Sequence, residues 1–467
     1  MKKPLLPPHP LPLLIFLGSL LLFFCSSWRH ALFQSNAFDL GIFDNGIYLI
    51  SRGEEPFVTF RGIHILGDHA AWILYLLALP YKIYPDVRWL FAVQAIALSA
   101  GAIPTRSLAL QAGLKENQAN LMVAVYLLYP LIFNANLFDF HPEAIAVPLL
   151  LGAIWAARAN RVGWFSLAVI LILGCKAVLS LTVAAMGIWL LIFERRRRCG
   201  AIALILGAAW FIIATGIIIP HFGDGGPEAV RRYNFLGDSL PEIAKNLFLK
   251  PGLVLSRLFT LPNLEYLLLL AVPVLWGLSP RHLTPLIGAG PLLGLNLLSD
   301  SLQQKNLTQH YSLPILPFLL LAVISTLSAE GGWLRNPRHI LLWSLVAFFA
   351  LAKYGYFGSR YLRHFDTVSA TGEAVALVDT PGSVLTADHI APHLTHRRIV
   401  MLAARGAETL DLKGFEWVLL NASYPGWNSS PELVETLIVR LQKTPEFRLE
   451  YERDGVVLFH REIPGPH

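Results

Sequence analysis

Three short runs gather acids and histidines: Phe38-Asp39-Leu40-Gly41-Ile42-Phe43-Asp44-Asn45-Gly46, Gly67-Asp68-His69 and Phe138-Asp139-Phe140-His141-Pro142-Glu143. In the first, Leu40, Phe43, Ile47 and Ile50 fall on one helical face, which predicts a short helix with Asp39 at its N-cap and Asp44 near its polar edge. Carboxylates so placed can act as a general base on a hydroxyl or ligate a divalent cation. The plain alternative is a helix cap and a solvated acid. The second run precedes a short apolar piece, Ala70–Tyr84, and can cap it. In the third, Pro142 suits a first helical turn and Glu143 complements the positive helix end, yet Asp139, His141 and Glu143 within five residues also make a candidate hard-cation site.

Cationic candidates accompany these acids. Lys176 ends an apolar segment, Arg231 and Arg232 lie in a polar loop, and His310 with Tyr311 opens a later apolar segment. Guanidinium and ammonium groups bind phosphate well. Together with His69 they form the substrate-binding set, although a snorkelling or loop-solvating part is the simpler account of any one of them.

The elements that position these residues belong to a membrane protein. Of 467 residues, 55% are hydrophobic and 15% charged, whereas soluble domains carry about a quarter charged residues. Apolar stretches of about 17–25 residues, the length that crosses the hydrocarbon core as a helix, recur through the first three quarters of the chain. A secreted globule is excluded. The net charge of +6 does not imply a nucleic-acid partner, because much of it sits in short clusters such as Arg195–Arg198 that read as topology signals. Cys25, Cys175 and Cys199 show no metal or disulfide spacing.

The segments Leu11–Trp28, Val87–Leu110, Ala119–Asn136, Pro142–Ala157, Val162–Cys175, Val178–Phe193, Ala201–Pro220, Leu264–Leu278, Leu283–Leu298, Tyr311–Leu327 and Ile340–Lys353 give an all-α polytopic bundle of about eleven spans. Lys2 and Lys3 keep the N-terminus cytoplasmic. Alternation from there puts Lys115, Arg158, Arg161, Arg195–Arg198, Arg281, Arg335 and Arg338 inside, as the positive-inside rule requires. Residues 1–353 form the transmembrane domain, with a first outer loop at 29–86 carrying surface helices and a large outer loop at 221–262. Residues 354–467 change composition and predict an extracytoplasmic α/β domain: strands at Ser383–Ala387, Arg398–Leu402 and Trp417–Asn421, a helix at Pro431–Lys443, and a hairpin of Arg448–Arg453 with Val456–His460 around Asp454-Gly455.

The runs FDLGIFDNG, GDH and FDFHPE, in this order and spacing, with HYSLPILPFL at His310–Leu319 and APHLTHR at Ala391–Arg397, resemble the polytopic bacterial and archaeal membrane proteins of domain-of-unknown-function family 2079. That family is similar to the GT-C class of membrane glycosyltransferases, which use polyprenyl-phosphate-linked sugars and carry an essential acid in the first outer loop. The resemblance implies a bundle of GT-C type in the bacterial inner membrane, working at the non-cytoplasmic face. It makes Asp39 the first candidate for the catalytic acid and Asp44 the second. It implies direct, inverting attack of an acceptor hydroxyl deprotonated by Asp39, with the leaving lipid phosphate stabilised by Lys176, an outer-loop arginine or a divalent cation, Mg or Mn. After the lysine the family usually carries an acidic pair; here Ala177 and Val178 stand, a departure that bears on metal binding.

Two other classes fit parts of the sequence. A lipid or polysaccharide transporter needs a polar path through the spans, and their charge-poor interiors argue against one. A scaffold or receptor would work through its C-terminal domain and leave the acids as caps.

Overall fold

The structure is a computed structural model that describes residues 10–223 and 228–462. Lys2 and Lys3 lie outside the described residues, as does the part of the predicted 221–262 loop from Asp224 to Pro227. The chain forms two compact units, a helical one and a sheet-bearing one. The helical unit runs to Phe24 and then takes in Leu66–Ile73 and Phe91–Lys353; the sheet-bearing unit takes Cys25–Ile65, Leu74–Leu90 and the chain from Tyr354 on.

Every apolar segment read from the sequence is helical, but the helices are more broken than the runs of hydropathy suggest. By length and apolar composition, five of the described helices can cross a bilayer: Leu11–Ala31, Glu116–Leu137, Arg197–Phe222, His310–Ser328 and Pro337–Gly358. A sixth forms if Pro251–Leu258 and Leu261–Gly277, bent by 58° at their junction, act as one. Val162–Cys175 and Leu179–Ile192 have 14 residues each, or about 21 Å at 1.5 Å per residue, short of a 30 Å core. The stretch Val87–Leu110 is two helices, Arg88–Ala100 and Ala102–Gln111. They part at Gly101, where a Cβ would lie 2.1 Å from the Tyr126 hydroxyl.

Within the helical unit, Leu179–Ile192 and Arg197–Ile213 pack backbone to backbone. A Cβ on Gly187 would meet the Leu204 nitrogen at 2.5 Å, and one on Gly207 would meet the Ala184 nitrogen at 2.7 Å. Small residues at crossing points are what membrane helices use, because lipid supplies little hydrophobic drive and close dispersion contact must replace it. Gln94 is buried on the helix Arg88–Ala100. Its side-chain amide donates to the carbonyls of Asn136 and Asp139 at 3.2 and 3.0 Å, and its Oε1 accepts from the His141 N–H at 2.9 Å.

The sheet-bearing unit is built on five strands in the order Val400–Leu402, Val384–Thr386, Trp417–Asn421, Val456–Arg461, Phe447–Arg453. The first three are parallel and the last two antiparallel to their neighbours. Asp454 and Gly455 close the hairpin with positive φ, the conformation that an Asp-Gly turn favours. Alternation sends Trp417 and Leu419 to one face with Ala370 and Ala374 of the helix Phe365–Leu377, and Val418 and Leu420 to the other with Leu437 and Leu441 of the helix Pro431–Gln442. Ala37, from the first polar run, is fully buried in the first of these cores.

The glycine crossing gives a direct test. Gly187→Ala and Gly207→Ala each force backbone apart and should cost about 1–3 kcal/mol. Gly152→Ala, with nothing within 4 Å of the new Cβ, should be neutral or slightly stabilising, by about 0.4–1 kcal/mol. Thermal unfolding in detergent, followed by size-exclusion fluorescence, checks both; equal melting of all three variants contradicts the packing.

Candidate functional site

The FDFHPE run becomes a buried corner before the helix Glu143–Arg158. Asp139 adopts φ +87°, a region costly for a residue with a Cβ, which persists only where the surroundings over-determine it. Gln94 supplies that constraint through its three bonds to this corner. Asn136, whose Nδ2 donates to the Leu22 carbonyl at 2.8 Å, anchors the preceding turn. Glu143 is the first residue of the helix, as its charge predicts, while Pro142 sits at the N-cap, one position before the first turn expected for it.

Glu143 is buried and its Oε1 accepts from Lys176 Nζ at 2.6 Å. Lys176 Nζ also lies 3.4 Å from His310 Nε2, and that nitrogen is 3.5 Å from Glu143 Oε1. The His141 and His310 rings stack with centroids 3.6 Å apart, and His310 leans on Tyr311 at 4.2 Å. Arg232 lies over the other end of this array, its Cζ 5.4 Å from the Tyr311 centroid. Arg231 is exposed. Thus five of the sequence candidates, His141, Glu143, Lys176, His310 and Tyr311, assemble in one place with Arg232 beside them. A buried ion pair of this kind holds its members in register more than it stabilises the fold. Glu143 Oε2 and His310 Nδ1 are buried without a hydrogen-bond partner, which leaves an acceptor and a ring nitrogen to meet a ligand.

His69 belongs to the same unit. Its Nε2 pairs with Asp68 Oδ2 at 3.3 Å, and its carbonyl accepts from the Ala177 N–H at 2.9 Å. Asp68 and His69 end the short helix Ile65–His69, which precedes the helix Ile73–Ile83. Burial holds the His69 pKa well below its usual value, opposed by the Asp68 carboxylate, while the Lys176 and Glu143 charges act in opposite senses. The ring is therefore neutral at pH 7.

Asp139, His141 and Glu143 do not gather their side chains into a metal-holding group; among the described residues no three His, Cys, Asp or Glu side chains do so. Glu143 takes an ammonium as its counter-ion. Asp139, His141 and Glu143 therefore do not form the shared cation site considered from the sequence.

In the sheet-bearing unit the first run opens with a π-turn, Ala37–Gly41, whose N-cap is Asn36: its Oδ1 accepts from the Phe38 N–H at 2.7 Å. Asp39 is half-buried inside this turn, and the cap expected at Asp39 lies three residues earlier. Widened turns of this type recur at functional positions. The helix proper is Ile42–Arg52, on which Phe43 and Ile47 are buried and Ile50 half-buried, and Leu40 is buried in the π-turn before it.

Asp44 is not at a polar edge. It is 1% exposed; Oδ1 accepts from the Tyr81 hydroxyl at 2.5 Å, and Oδ2 accepts from the Thr395 hydroxyl and lies 3.2 Å from His396 Nε2. Beside it, the Asn45 amide donates to the carbonyls of Thr395 and Arg397 at 2.6 and 2.9 Å. The APHLTHR run is thus the partner of FDLGIFDNG, and Asp44 joins the two. Periodicity within one helix could not reveal Tyr81, Thr395 and His396. The histidine inside APHLTHR was the available signal.

These positions coincide with a family. The family described as Predicted membrane protein (DUF2079) matches residues 29–458. The chain belongs to that family. No match was found among curated protein sequences. Among solved structures, this DUF2079 chain is similar to ArnT from Cupriavidus metallidurans bound to undecaprenyl phosphate, with TM-score 0.55 and 13% identity over 99% of this chain and 100% of that one. The apo form of ArnT from the same organism gives TM-score 0.53 and 11% identity over 96% and 97%. The likeness establishes a mostly helical, ArnT-like fold, in keeping with a family of predicted membrane proteins.

The two histidines of the APHLTHR run titrate in opposite senses. Burial alone would lower His396, but the Asp44 carboxylate prevails and its pKa is raised above 6.5. Its contribution to stability is therefore complete below about pH 6.5 and lost as pH rises through the folded value. His396→Gln should cost about 1–3 kcal/mol at pH 6, and the gap to wild type should close as pH rises. Burial pushes His393 down to about 4, so this residue destabilises the folded unit as pH falls from 6.5 towards 4, and His393→Gln should gain on wild type over that interval. Melting temperatures at pH 5–9 measure both trends; a His396→Gln deficit that grows with pH contradicts the pairing.

Proposed function

We propose that this protein is a membrane glycosyltransferase of the GT-C type that transfers a sugar from a polyprenyl-phosphate-linked donor to an acceptor at the non-cytoplasmic face. The observation that carries this reading is the fold likeness, along 99% of the chain, to ArnT bound to undecaprenyl phosphate, joined to the resemblance of the FDLGIFDNG, GDH and FDFHPE runs to a family similar to the GT-C class. The Lys176 cluster supports it. An ammonium held by Glu143 and His310, with Arg232 close by, suits an anionic head group in a low-dielectric setting, where such contacts are strong.

In this reading the chain spans the inner membrane about eleven times, the shorter helices crossing with help from their neighbours. The N-terminus is cytoplasmic and the C-terminal α/β domain extracytoplasmic. Asp39, in its π-turn, is the base: it takes the proton of the acceptor hydroxyl as that oxygen bonds to the anomeric carbon. The bond from that carbon to the phosphate oxygen breaks, the pair of electrons leaves with the phosphate, and the configuration inverts. Lys176 and Arg232 meet the developing charge.

Two variants separate the parts. Native mass spectrometry of the full chain with undecaprenyl phosphate should show binding, weakened about tenfold or more in Lys176→Met, since a charge-assisted bond to phosphate contributes about 1.5–3 kcal/mol. Asp39→Asn should bind the lipid as wild type does, yet lose about 10²–10⁴-fold in transfer to endogenous acceptors in membranes. Undiminished transfer by Asp39→Asn removes the base assignment. Failure to bind undecaprenyl phosphate in preference to phosphatidylglycerol overturns the donor class.

A further inference from the structure

In the sheet-bearing unit an exposed indole has its backbone held as firmly as a core residue. Trp427 is 56% exposed, in the turn Tyr424-Pro425-Gly426-Trp427-Asn428. Gly426 and Asn428 take φ of +94° and +53°. The Tyr424 N–H donates to Asn421 Oδ1 at 2.9 Å and the Arg405 N–H to the Asn428 carbonyl at 2.7 Å. The Trp427 N–H itself donates to Asp388 Oδ1 at 2.7 Å. A Cβ on Gly426 would lie 2.3 Å from that same oxygen, so the turn closes on Asp388 because residue 426 is glycine. Scattered exposed apolar residues need no explanation. An exposed tryptophan fixed by a buried carboxylate is a different matter, because ordering a loop costs entropy that a loose surface residue avoids.

Asp388 faces both ways. Its Oδ2 accepts from Asn36 Nδ2 at 3.3 Å and its carbonyl accepts from the Ala37 N–H at 3.0 Å. Asn36 is the residue that caps the π-turn carrying Asp39. One carboxylate therefore fixes the start of that turn and the Trp427 loop against each other. Phe38, next in sequence to Asp39, meets the Trp427 ring edge-on with centroids 4.8 Å apart, and Phe60 backs Phe38 at 6.3 Å.

We propose that Trp427, buttressed edge-on by Phe38, is a stacking platform for a saccharide ring of the acceptor, with Asp388 as the residue that positions it; this rests on the reading of Asp39 as the base. A pyranose offers an apolar face of C–H groups bounded by hydroxyls. The platform offers the complement: an aromatic surface whose sequence neighbours Ser423, Asn428, Ser429 and Ser430 are hydrogen-bonding residues. Aromatic rings that combine an apolar body with a polar handle are the side chains that serve such half-wet contacts. A lipid surface is the other natural partner of an exposed indole, but interfacial segments pair it with Lys or Arg and aliphatic residues, and Asn421–Ser430 contains no Lys or Arg. The acceptor class is thus a carbohydrate, presented ring-face to Trp427 beside the base.

The test uses the full chain in nanodiscs and saturation-transfer difference NMR with methyl β-D-glucopyranoside, methyl α-D-mannopyranoside and N-acetyl-D-glucosamine. At least one should show transfer to its ring C–H protons. Trp427→Ala should weaken that binding about tenfold, the equivalent of about 1.4 kcal/mol, and Trp427→Phe should retain most of it. Asp388→Asn should raise the saccharide Kd while leaving undecaprenyl phosphate binding at the wild-type level, a split that general unfolding would not give. No signal from any of the three sugars, or undiminished binding by Trp427→Ala, overturns the platform. So does quenching of the Trp427 fluorescence, taken as wild type minus Trp427→Phe, by brominated phosphatidylcholine in the nanodisc, which would place the indole in lipid. Asp39→Asn should bind saccharide normally. If its transfer activity also persists, the base assignment falls and the platform stands; if Trp427→Ala binds normally while Asp39→Asn is inactive, the reverse holds.

Discussion

A carboxylate withdrawn from water must find donors, and Asp44 organises the sheet-bearing unit by that requirement. Its two oxygens are met by Tyr81, Thr395 and His396, groups from two further segments of the chain, one of them some 350 positions away in sequence. Breaking such an arrangement from one side leaves a buried charge uncompensated, which costs far more than the bond itself contributes. Three segments are thereby bound to one another: the helix Ile42–Arg52, the helix Ile73–Ile83 and the loop before the strand Val400–Leu402. Asn45 adds two bonds to the same loop, and Thr59 exchanges bonds with the backbone of Val400, its hydroxyl donating to the carbonyl and accepting from the N–H. The π-turn with Asp39 sits directly before this anchored helix. Its position follows from the fate of Asp44.

Much of the fold was legible because hydropathy and turn chemistry act locally. Long apolar runs became helices, Asp454-Gly455 became the hairpin turn, and Leu433, Leu437 and Leu441 announced the helix Pro431–Gln442 by their spacing. What stayed hidden were features decided by chain distant in sequence. Asp44 read as a polar-edge residue because a helical wheel contains one helix, while its burial comes from residues 81 and 395–396. The cap fell at Asn36 and not at Asp39 because a π-turn precedes the helix, and apolar periodicity has no signal for a turn widened by one residue. The apolar stretch Val87–Leu110 concealed a break at Gly101, where the Tyr126 hydroxyl leaves no room for a side chain and reaches the Leu98 carbonyl.

Gln94 shows a different kind of blindness. Ionisable residues inside apolar helices draw attention as functional, whereas an amide passes as neutral. Yet this amide makes three bonds to one corner, to Asn136, Asp139 and His141, and so holds Asp139 at its positive φ. A polar group in a low-dielectric interior is placed by its partners as firmly as a charge is. The FDFHPE run could be recognised as dense in chemistry, but the group that shapes it lay some 45 positions earlier.

The absence of an acidic pair after Lys176 has a physical consequence that the cluster makes concrete. Lys176 carries three N–H donors; one goes to Glu143 and a second lies within reach of His310. A carboxylate at 177 or 178 would compete for the third. Instead Ala177 packs with Ala70, Ala214 and Ile219, an apolar contact in which an ionised acid would need a cation of its own. Val178 serves as the N-cap of Leu179–Ile192 without a side-chain bond. The ammonium therefore keeps a donor uncommitted among the described residues, held at a fixed point by Glu143 and beside the Tyr311 ring at 5.9 Å. Removing acids from the neighbourhood of a buried lysine lowers its capacity to share a metal ion and raises its capacity to meet an anion.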